Sequence, residues 1–273
     1  MEIFIPDNTS VSEALPRTTH LAVSAHQDDI EFMAYDGILK CFEDPQLHFT
    51  AVVAGDGRGS PRSGIYAGCT DEEMARIRKE EQKKAAVVGN YNALISLDLP
   101  SARIKDPGDG AAVEYFKDII LKTKPSVIYT HNPADKHDTH TATVLRLIGA
   151  LRELGYVPEK FYGCEVWRGL DWVCDDEKVA FDVGGSPNLE AAILGVFNSQ
   201  IRGGKRYDKA VIGRRRANAT FSASHGVDAA ESVIYAIDLL SLLTDKELSV
   251  SEYITGYIER FCHDVRSKIE RLE

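Results

Sequence analysis

The first half of the chain alternates short apolar runs with segments whose apolar residues recur at helical spacing. The pattern predicts strands over 19–25, 47–54, 93–97 and 126–131, and helices over 31–43, 70–88, 111–122 and 139–154. Such alternation is typical of βαβ units, which build a parallel sheet with helices on its faces. We therefore predict an α/β fold with a mostly parallel sheet flanked by helices.

The alternation breaks after residue 160, where we predict an elaborated C-terminal region. Two further strands are predicted over 161–168 and 178–183, and several helices follow them. The apolar run Val233–Leu243 is interpreted as a buried helix. The last predicted helix, Ser251–Leu272, carries an apolar stripe that is expected to face the core. The stripe consists of Ile254, Ile258, Phe261, Val265, Ile269 and Leu272.

Length and charge exclude some classes of protein. The 273 residues are 44% hydrophobic, which is enough for one large globular domain or two small ones. The net charge of -10 argues against a nucleic-acid partner, because phosphate binding needs clustered Lys and Arg. The only basic run, Arg214–Arg216, is short. No repeat, low-complexity linker or clean boundary divides the chain, so we predict a single domain.

The sequence also favours a cytoplasmic location. Residues 1–20 lack the apolar segment of a signal peptide, and no stretch is long enough to be an integral membrane segment. The five cysteines are dispersed, without a C-x-x-C pair, as expected for free thiols in a reducing compartment.

A cluster of residue types that bind metals follows the first predicted strand: His26, Asp28 and Asp29, with Glu31 close by. Imidazole nitrogen and carboxylate oxygen both suit a divalent ion such as zinc. Of two adjacent carboxylates, one can bind the ion while the other accepts a proton. The alternative is that the Asp pair caps a helix N-terminus, where carboxylates are also favourable.

A second cluster lies between His131 and His140 and holds three of the chain's eight histidines. His140 lies four residues before Val144, on the apolar stripe of the helix predicted over 139–154, so its ring needs a buried partner. A single histidine there would be explained by a hydrogen bond. The combination favours a metal, because both clusters follow strands, where ligands of open parallel sheets bind.

Two segments resemble the motifs of the PIG-L/LmbE family of zinc-dependent N-acetylglucosaminyl deacetylases. The first is AHQDDIE at Ala25–Glu31, which resembles the AHPDDE signature of that family, and the second is HNPADKHDTH at His131–His140, which resembles its motif ending in HPDH. The motifs lie about 110 residues apart in the family's order, a specific combination. The resemblance implies a Rossmann-like, metal-binding core over 19–155 and a substrate-lining region over 156–273, within one domain.

Carried over residue by residue, the resemblance implies that His26, Asp29 and His140 bind Zn²⁺, with Fe²⁺ or another divalent ion as the alternative. A catalytic zinc keeps an open position in which the pKa of water falls to about 7. The resemblance makes Asp28 the general base and His137 the residue that stabilises the oxyanion, and either can protonate the departing amine. The implied enzyme is a hydrolase that removes an acetyl group from a sugar resembling N-acetylglucosamine.

Two positions depart from the family motifs. Gln27 stands where proline is usual, which changes the chemistry little. Asp138-Thr139 replaces Pro-Asp between two histidines, so an aspartate that would orient a histidine or the base is missing from its position. Asp135 or Asp138 is a candidate replacement, and Asp135 is alternatively a turn residue.

Four residues are weaker candidates for substrate contacts: Asp56, Arg58, Asp135 and His225. Asp56 and Arg58 lie in a glycine-rich stretch where the family often carries a turn that holds substrate. Arg58 can donate paired hydrogen bonds to hydroxyls or a phosphate, or be a solvated loop residue. His225 begins a short segment similar to the family's late Gly-x-x-x-Ala-Glu element. Two tryptophans, which can stack on a sugar or belong to the core, are Trp167 and Trp172.

Two other functions stay open. One is a zinc amidase that acts on a larger amide conjugate, for which the motifs would be identical. The other is a non-catalytic carbohydrate- or nucleotide-binding protein. A nucleotide site needs a glycine-rich turn after the first strand, where this chain instead has carboxylates that repel a pyrophosphate. The expected partner is a small N-acetylated sugar or glycoconjugate, and the resemblance leaves open a homo-oligomer.

Overall fold

A computed structural model describes all residues, 1–273, as one eight-stranded sheet with helices on both faces. The strands are β1 (Glu2–Phe4), β2 (His20–Ser24), β3 (Phe49–Gly55), β4 (Ala93–Leu99), β5 (Val127–His131), β6 (Lys160–Cys164), β7 (Val179–Asp182) and β8 (Val233–Asp238). The helices are α1 (Val11–Ala14), α2 (Asp29–Met33), α3 (Tyr35–Glu43), α4 (Asp71–Val88), α5 (Ser101–Lys105), α6 (Ala111–Thr123), α7 (Asp138–Leu154), α8 (Pro187–Gly195), α9 (Asn198–Ile201), α10 (Tyr207–Thr220), α11 (Ser241–Thr244) and α12 (Val250–Leu272).

The strands lie in the order β1-β4-β3-β2-β5-β6-β8-β7. The five central strands from β4 to β6 are parallel, and the other three pair antiparallel with their neighbours. The prediction of a mostly parallel α/β sheet is therefore confirmed. Because β3 lies on one side of β2 and β5 on the other, the chain changes direction at β2. A crevice opens at such a switch point, beyond the carboxyl ends of the two strands.

Both faces of the sheet carry an apolar core, which explains why β2 and β3 are buried along their whole length. On one face, residues of α6 and α7 such as Phe116 and Leu151 pack against the strands. On the other face, Tyr35 of α3 and Ile193 of α8 do the same. The sheet is thereby fixed in the middle layer, with its strand ends free to form a site.

Local capping signals place α4 where the sequence predicts it. The Thr70 N–H donates to the Glu73 carboxylate at 2.8 Å, and the Glu73 N–H donates to the Thr70 hydroxyl at 3.2 Å. The helix ends at Gly89. By contrast, the helix predicted over 31–43 is two helices, α2 and α3, separated by Ala34 at φ -114°.

The interpretation of Val233–Leu243 as a buried helix is wrong. Its first six residues form β8, which pairs with β6 and β7. Val, Ile and Tyr favour an extended backbone that packs on both faces, and a short apolar run does not by itself distinguish a buried strand from a buried helix.

The apolar stripe of α12 lies in the core only at its start. Ile254 is buried and Phe261 is half-buried, whereas the other side chains of the stripe are exposed, up to 77% at Leu272. A helix of 23 residues is about 34 Å long and extends past the layer that it covers. Periodicity therefore predicted the helix correctly, but the prediction that its whole stripe faces the core is wrong. None of the helices has an apolar run long enough to cross a membrane.

Candidate metal and active site

The two sequence clusters meet in the crevice beside β2. His26 follows the end of β2, and His140 lies in the first turn of α7, shortly after β5 ends at His131. His26 Nδ1 lies 3.1 Å from His140 Nε2. Asp29 Oδ2 lies 3.3 Å from His26 Nδ1 and 3.2 Å from His140 Nε2. The structure therefore brings together the three residues predicted to bind a metal.

These separations fit one small divalent cation. Ligand atoms held tetrahedrally at about 2.0–2.1 Å from zinc lie about 3.3–3.4 Å from one another. The three separations here run from 3.1 to 3.3 Å. Two imidazoles and one carboxylate are donors that zinc and related divalent ions accept. The cluster is therefore able to hold a divalent metal ion.

His131 also lies in this cluster, but its Nε2 atom, which is the ring nitrogen near Asp29, already accepts a hydrogen bond. His131 Nε2 accepts a hydrogen bond from the Ala25 N–H at 2.9 Å and lies 3.5 Å from Asp29 Oδ2. The ring stacks on that of His140 with centroids 3.9 Å apart. Because Nε2 supports the backbone after β2, His131 fits a structural role better than that of a metal ligand.

The two adjacent carboxylates have opposite shifts in pKa. Burial raises the pKa of Asp28 well above its ordinary value. Burial acts on Asp29 in the same direction, but His140 and His26 outweigh it and hold the pKa of Asp29 well below its ordinary value. Although burial opposes it, Asp29 and Asp135 raise the pKa of His140 to about 10. The donor atoms thus attract positive charge, and Asp28 is able to take up a proton.

Asp28 is held apart from the donor atoms by its own backbone and by α4. Its φ of 77° lies in the left-handed region, which Asp tolerates better than most residues. Its N–H donates to Gln82 Oε1 at 3.0 Å, and Arg78 Nη2 lies 3.0 Å from its Oδ2. Asp28 occupies the N-cap position of α2 without making a side-chain capping bond. The capping alternative therefore does not account for its carboxylate, which lines a cavity.

His137 presents a hydrogen-bond donor to the same cavity. Its Nδ1 accepts the Thr139 N–H at 3.2 Å, at the N-cap of α7. Burial and the nearby His26 and His140 lower the pKa of His137, which favours the neutral ring. A neutral ring that accepts at Nδ1 carries its proton on Nε2. Thr139 thus orients His137 through its backbone.

Asp135 rather than Asp138 contacts the cluster of donor residues. Asp135 Oδ2 lies 3.2 Å from His140 Nδ1, the ring nitrogen that faces away from the donor atoms, and its side chain is fully buried. Its other oxygen accepts the His137 N–H at 2.8 Å. Asp138 is exposed in the first turn of α7. Of the two replacements that the sequence left open, the geometry favours Asp135.

The donor atoms form the floor of a cavity of about 400 Å³. The residues that line it are His26, Asp28, Asp29, Asp56, Gly57, Gly59, Ser60, Pro61, Arg78, Ser101, His137, His140, Trp167, Gln200, Lys205 and Tyr207. Volume and polarity suit a small hydroxylated molecule, because a site of a few hundred cubic ångströms holds a ligand of one or two rings.

The four weaker candidates are placed differently from one another. Asp56 lines the cavity, whereas Arg58 lies outside it and binds the Asp56 carboxylate through Nε at 2.6 Å. Asp135 lies behind His140, away from the cavity lining. His225 is exposed in the loop before β8 and does not reach the cavity. Of the two tryptophans, Trp167 lines the cavity and Trp172 does not.

The glycine-rich stretch after β3 forms one wall. Gly57 has φ of 71°, and a Cβ there would lie 2.3 Å from Gln27 Oε1, so the wall requires glycine at this point. Gln27, the residue at the family's proline position, donates from Nε2 to the Gly55 carbonyl at 3.2 Å. Ser60 of the wall accepts a hydrogen bond from Arg78. The first motif and the wall are thus joined directly.

Sequence reasoning missed seven residues that line the cavity: Ser60, Pro61, Arg78, Ser101, Gln200, Lys205 and Tyr207. Only Arg78 had a signal, since it lies on the face of α4 opposite the charged stripe and would be expected to be apolar. Ser60 and Pro61 belong to a loop, Ser101 begins α5, and the others belong to the C-terminal region, whose position over the sheet depends on tertiary contacts.

Comparison with known proteins supports the resemblance. Residues 21–150 match a family model described as PIG-L: GlcNAc-PI de-N-acetylase. That span contains both motifs, so the resemblance predicted from them is confirmed. No curated protein sequence matches the chain.

Solved structures share the fold at low identity. The N,N'-diacetylchitobiose deacetylase from Pyrococcus horikoshii is 15% identical with a TM-score of 0.65, covering 84% of this chain and 86% of that one. GalB, the 4-carboxy-2-hydroxymuconate hydratase from Pseudomonas putida, is 17% identical with a TM-score of 0.63, covering 81% and 96%. A deacetylase of teicoplanin biosynthesis is 14% identical with a TM-score of 0.57, covering 81% and 98%. Because a hydratase is among them, the fold alone does not fix the reaction.

Proposed function

Starting from the match of residues 21–150 to the PIG-L de-N-acetylase family, we propose that this protein hydrolyses the acetamide of an N-acetylated sugar and uses a divalent metal, Zn²⁺ in the first place. The observation that carries the proposal is the group of three donor atoms, 3.1 to 3.3 Å apart, with a separate carboxylate beside them. A metal site and an independent base are the minimum that amide hydrolysis by activated water requires.

His26, Asp29 and His140 would hold the cation, and Asp135 would orient His140 from behind. When bound, a divalent cation polarises a carbonyl oxygen and increases the acidity of water. Asp135 contacts the ring nitrogen of His140 opposite the donor atom, an arrangement that fixes ring orientation at metal sites. The remaining steps belong to side chains that do not bind the metal.

Asp28 is the proposed general base. It accepts a proton from the attacking water as the new C–O bond forms, and its raised pKa suits a group that must hold that proton. His137 donates from Nε2 to the acyl oxygen, which becomes negative in the tetrahedral intermediate. The C–N bond then breaks as Asp28 passes the proton that it accepted from water to the departing amine, and acetate leaves.

The cavity supports a sugar as the substrate. Its lining is mostly polar, with hydroxyl, carboxylate and amide groups that can bind sugar hydroxyls, and Trp167 offers one aromatic face. The same site would also accept the acyl group of a larger amide conjugate, so a zinc amidase remains the second candidate.

The test combines metal content with release of the acyl product. Wild type, Asp28→Asn and Asp29→Asn, each incubated with Zn²⁺ and separately with Fe²⁺, are given N-acetylated sugars and N-acyl conjugates with larger leaving amines. Asn tolerates the left-handed backbone at position 28, so Asp28→Asn changes the base without straining the turn. We expect one metal per wild-type chain and acetate release from at least one sugar.

The two variants separate the proposed roles. Asp28→Asn should keep its metal and lose about 10²–10⁴-fold in kcat. Asp29→Asn should lose both metal and activity, because a metal ligand is removed. A wild-type protein that binds neither metal and releases no acyl group from any substrate would leave a non-catalytic binding protein as the better account. Acyl release from the larger conjugates alone would favour the amidase.

A further inference from the structure

Tyr207 brings the C-terminal region to the proposed reaction centre. It is the first residue of α10 and lines the cavity together with Asp28, Asp29 and His137. Its ring packs edge-on against Phe32, with centroids 5.1 Å apart, and against Trp167 at 6.0 Å. These two contacts fix the ring, so the direction of its hydroxyl is set before any substrate enters.

The Tyr207 hydroxyl has no hydrogen-bond partner within the chain. The most buried tyrosines each have one: Tyr35 donates to the Ser186 carbonyl at 3.1 Å, Tyr91 to Glu31 at 2.6 Å and Tyr129 to Asp36 at 2.7 Å. Tyr207 is half-buried, so its unpaired hydroxyl is available to bind solvent or a ligand. Tyr207 lines the cavity, which is where a ligand can supply that partner.

The surroundings keep this hydroxyl protonated. Burial and the negative charges of Asp28 and Asp29 raise the pKa of Tyr207, and Arg78 opposes them only in part. A phenol in this state is a neutral donor throughout the working pH range. Asp28 accepts protons at the same centre, and His137 is a second neutral donor that lines the cavity.

We propose that Tyr207 is a further catalytic residue, whose hydroxyl donates a hydrogen bond to the acyl oxygen of the substrate as the tetrahedral intermediate forms. This inference rests on the proposed function. The C=O electron pair moves onto the acyl oxygen while the water proton goes to Asp28, and the phenol keeps its own proton throughout. His137 and Tyr207 would then bind one oxygen from the N-terminal and the C-terminal part of the chain respectively.

The test is Tyr207→Phe, which keeps the ring contacts and removes only the hydroxyl. We expect kcat for acetate release to fall about 10²-fold with KM changed less than about twofold, because the lost bond acts mainly in the transition state. The matched control is Tyr162→Phe. Tyr162 also has a hydroxyl without a hydrogen bond but packs between Tyr129 and Phe181, outside the cavity. It should retain wild-type kcat.

A second measurement does not depend on turnover. Titration of the metal-loaded proteins with acetate, whose carboxylate oxygens occupy the place of the acyl oxygen, should show weaker binding to Tyr207→Phe than to wild type, by about fivefold to tenfold, which is the loss of one hydrogen bond. Acetate that binds both proteins equally, or neither, overturns the inference, as does an unchanged kcat or a change in KM alone. A wild type that binds acetate through Tyr207 but releases none would instead count against the proposed function.

Discussion

Replacing Asp135 by Asn should weaken metal binding without removing a metal ligand. Asp135 contacts His140 Nδ1 at 3.2 Å with one oxygen and accepts the His137 N–H at 2.8 Å with the other. Asn has one oxygen and one NH₂ group, so it can accept from only one of these two donors. The NH₂ group would then face a ring N–H or a backbone N–H.

The expected loss follows from this mismatch. Removing a group that orients a metal-bound histidine usually lowers affinity 10- to 100-fold, or about 1.4–2.7 kcal/mol. We expect the upper part of that range at Asp135, because the carboxylate is fully buried and water cannot replace it. The assay is a competition for Zn²⁺ between the purified protein and a chromogenic chelator, at constant pH.

Asp138→Asn is the matched control, since Asp138 lies three residues further along the same segment and is exposed. It should keep wild-type metal affinity and lose at most about 0.3–1 kcal/mol of stability, from the interaction of its charge with the N-terminus of α7. Wild-type affinity in Asp135→Asn, or a tenfold loss in Asp138→Asn, would refute the assignment of Asp135 as the supporting carboxylate.

Two further predictions concern buried charges away from the metal ligands. Burial, with a smaller contribution from Asp135, raises the pKa of Glu165 from 4.5 to about 8. The protonated Glu165 carboxyl therefore stabilises the fold at low pH, and this stabilisation is lost as the pH rises from 4.5 to about 8. Glu165→Gln should therefore gain stability relative to wild type between pH 5 and 8.5, by at most about 1.4 kcal/mol per pH unit, and urea unfolding that shows a constant difference would contradict this. Arg215 binds Glu190 at 2.6 Å and both side chains are buried, so Arg215→Met should cost about 3–5 kcal/mol in denaturant unfolding; a double variant with Glu190→Gln that recovers nothing would argue against an uncompensated charge as the cause.

The N-terminal half could be predicted from sequence because local and long-range signals agree there. Each strand from β2 to β5 is a short apolar run that ends at polar residues, and the capping box at Thr70 fixes the start of α4. The two motifs lie directly after β2 and β5, which are neighbours in the sheet. Their meeting therefore follows from strand order, and the family resemblance was enough to name the three residues proposed to bind the metal.

The C-terminal half gave weaker signals for a physical reason. A buried strand such as β8 and a buried helix have similar apolar runs, and the exposed end of α12 has the periodicity of a packed helix. Tyr207 reaches the cavity only because α10 packs against β8 and α8. A contact of this kind depends on where whole elements lie over the sheet, and no short motif records it.

Buried polar side chains on α4 are the sequence feature that would have indicated a contact between the N-terminal and the C-terminal half of the chain. The exposed stripe of this helix consists of Glu72, Arg76, Glu80 and Lys84. The opposite face, expected to be apolar, instead carries Arg78, Glu81 and Gln82, each at most 5% exposed. Such side chains stay buried only where partners satisfy them. Arg78 and Gln82 contact Asp28. Both oxygens of Glu81 accept hydrogen bonds at 2.6 Å from Ser199, which precedes the cavity residue Gln200 in α9. One rigid helix thus contacts the proposed base on one side and α9 on the other, so α4 fixes the position of α9 and Gln200 relative to Asp28, while β8 and α8 position Tyr207.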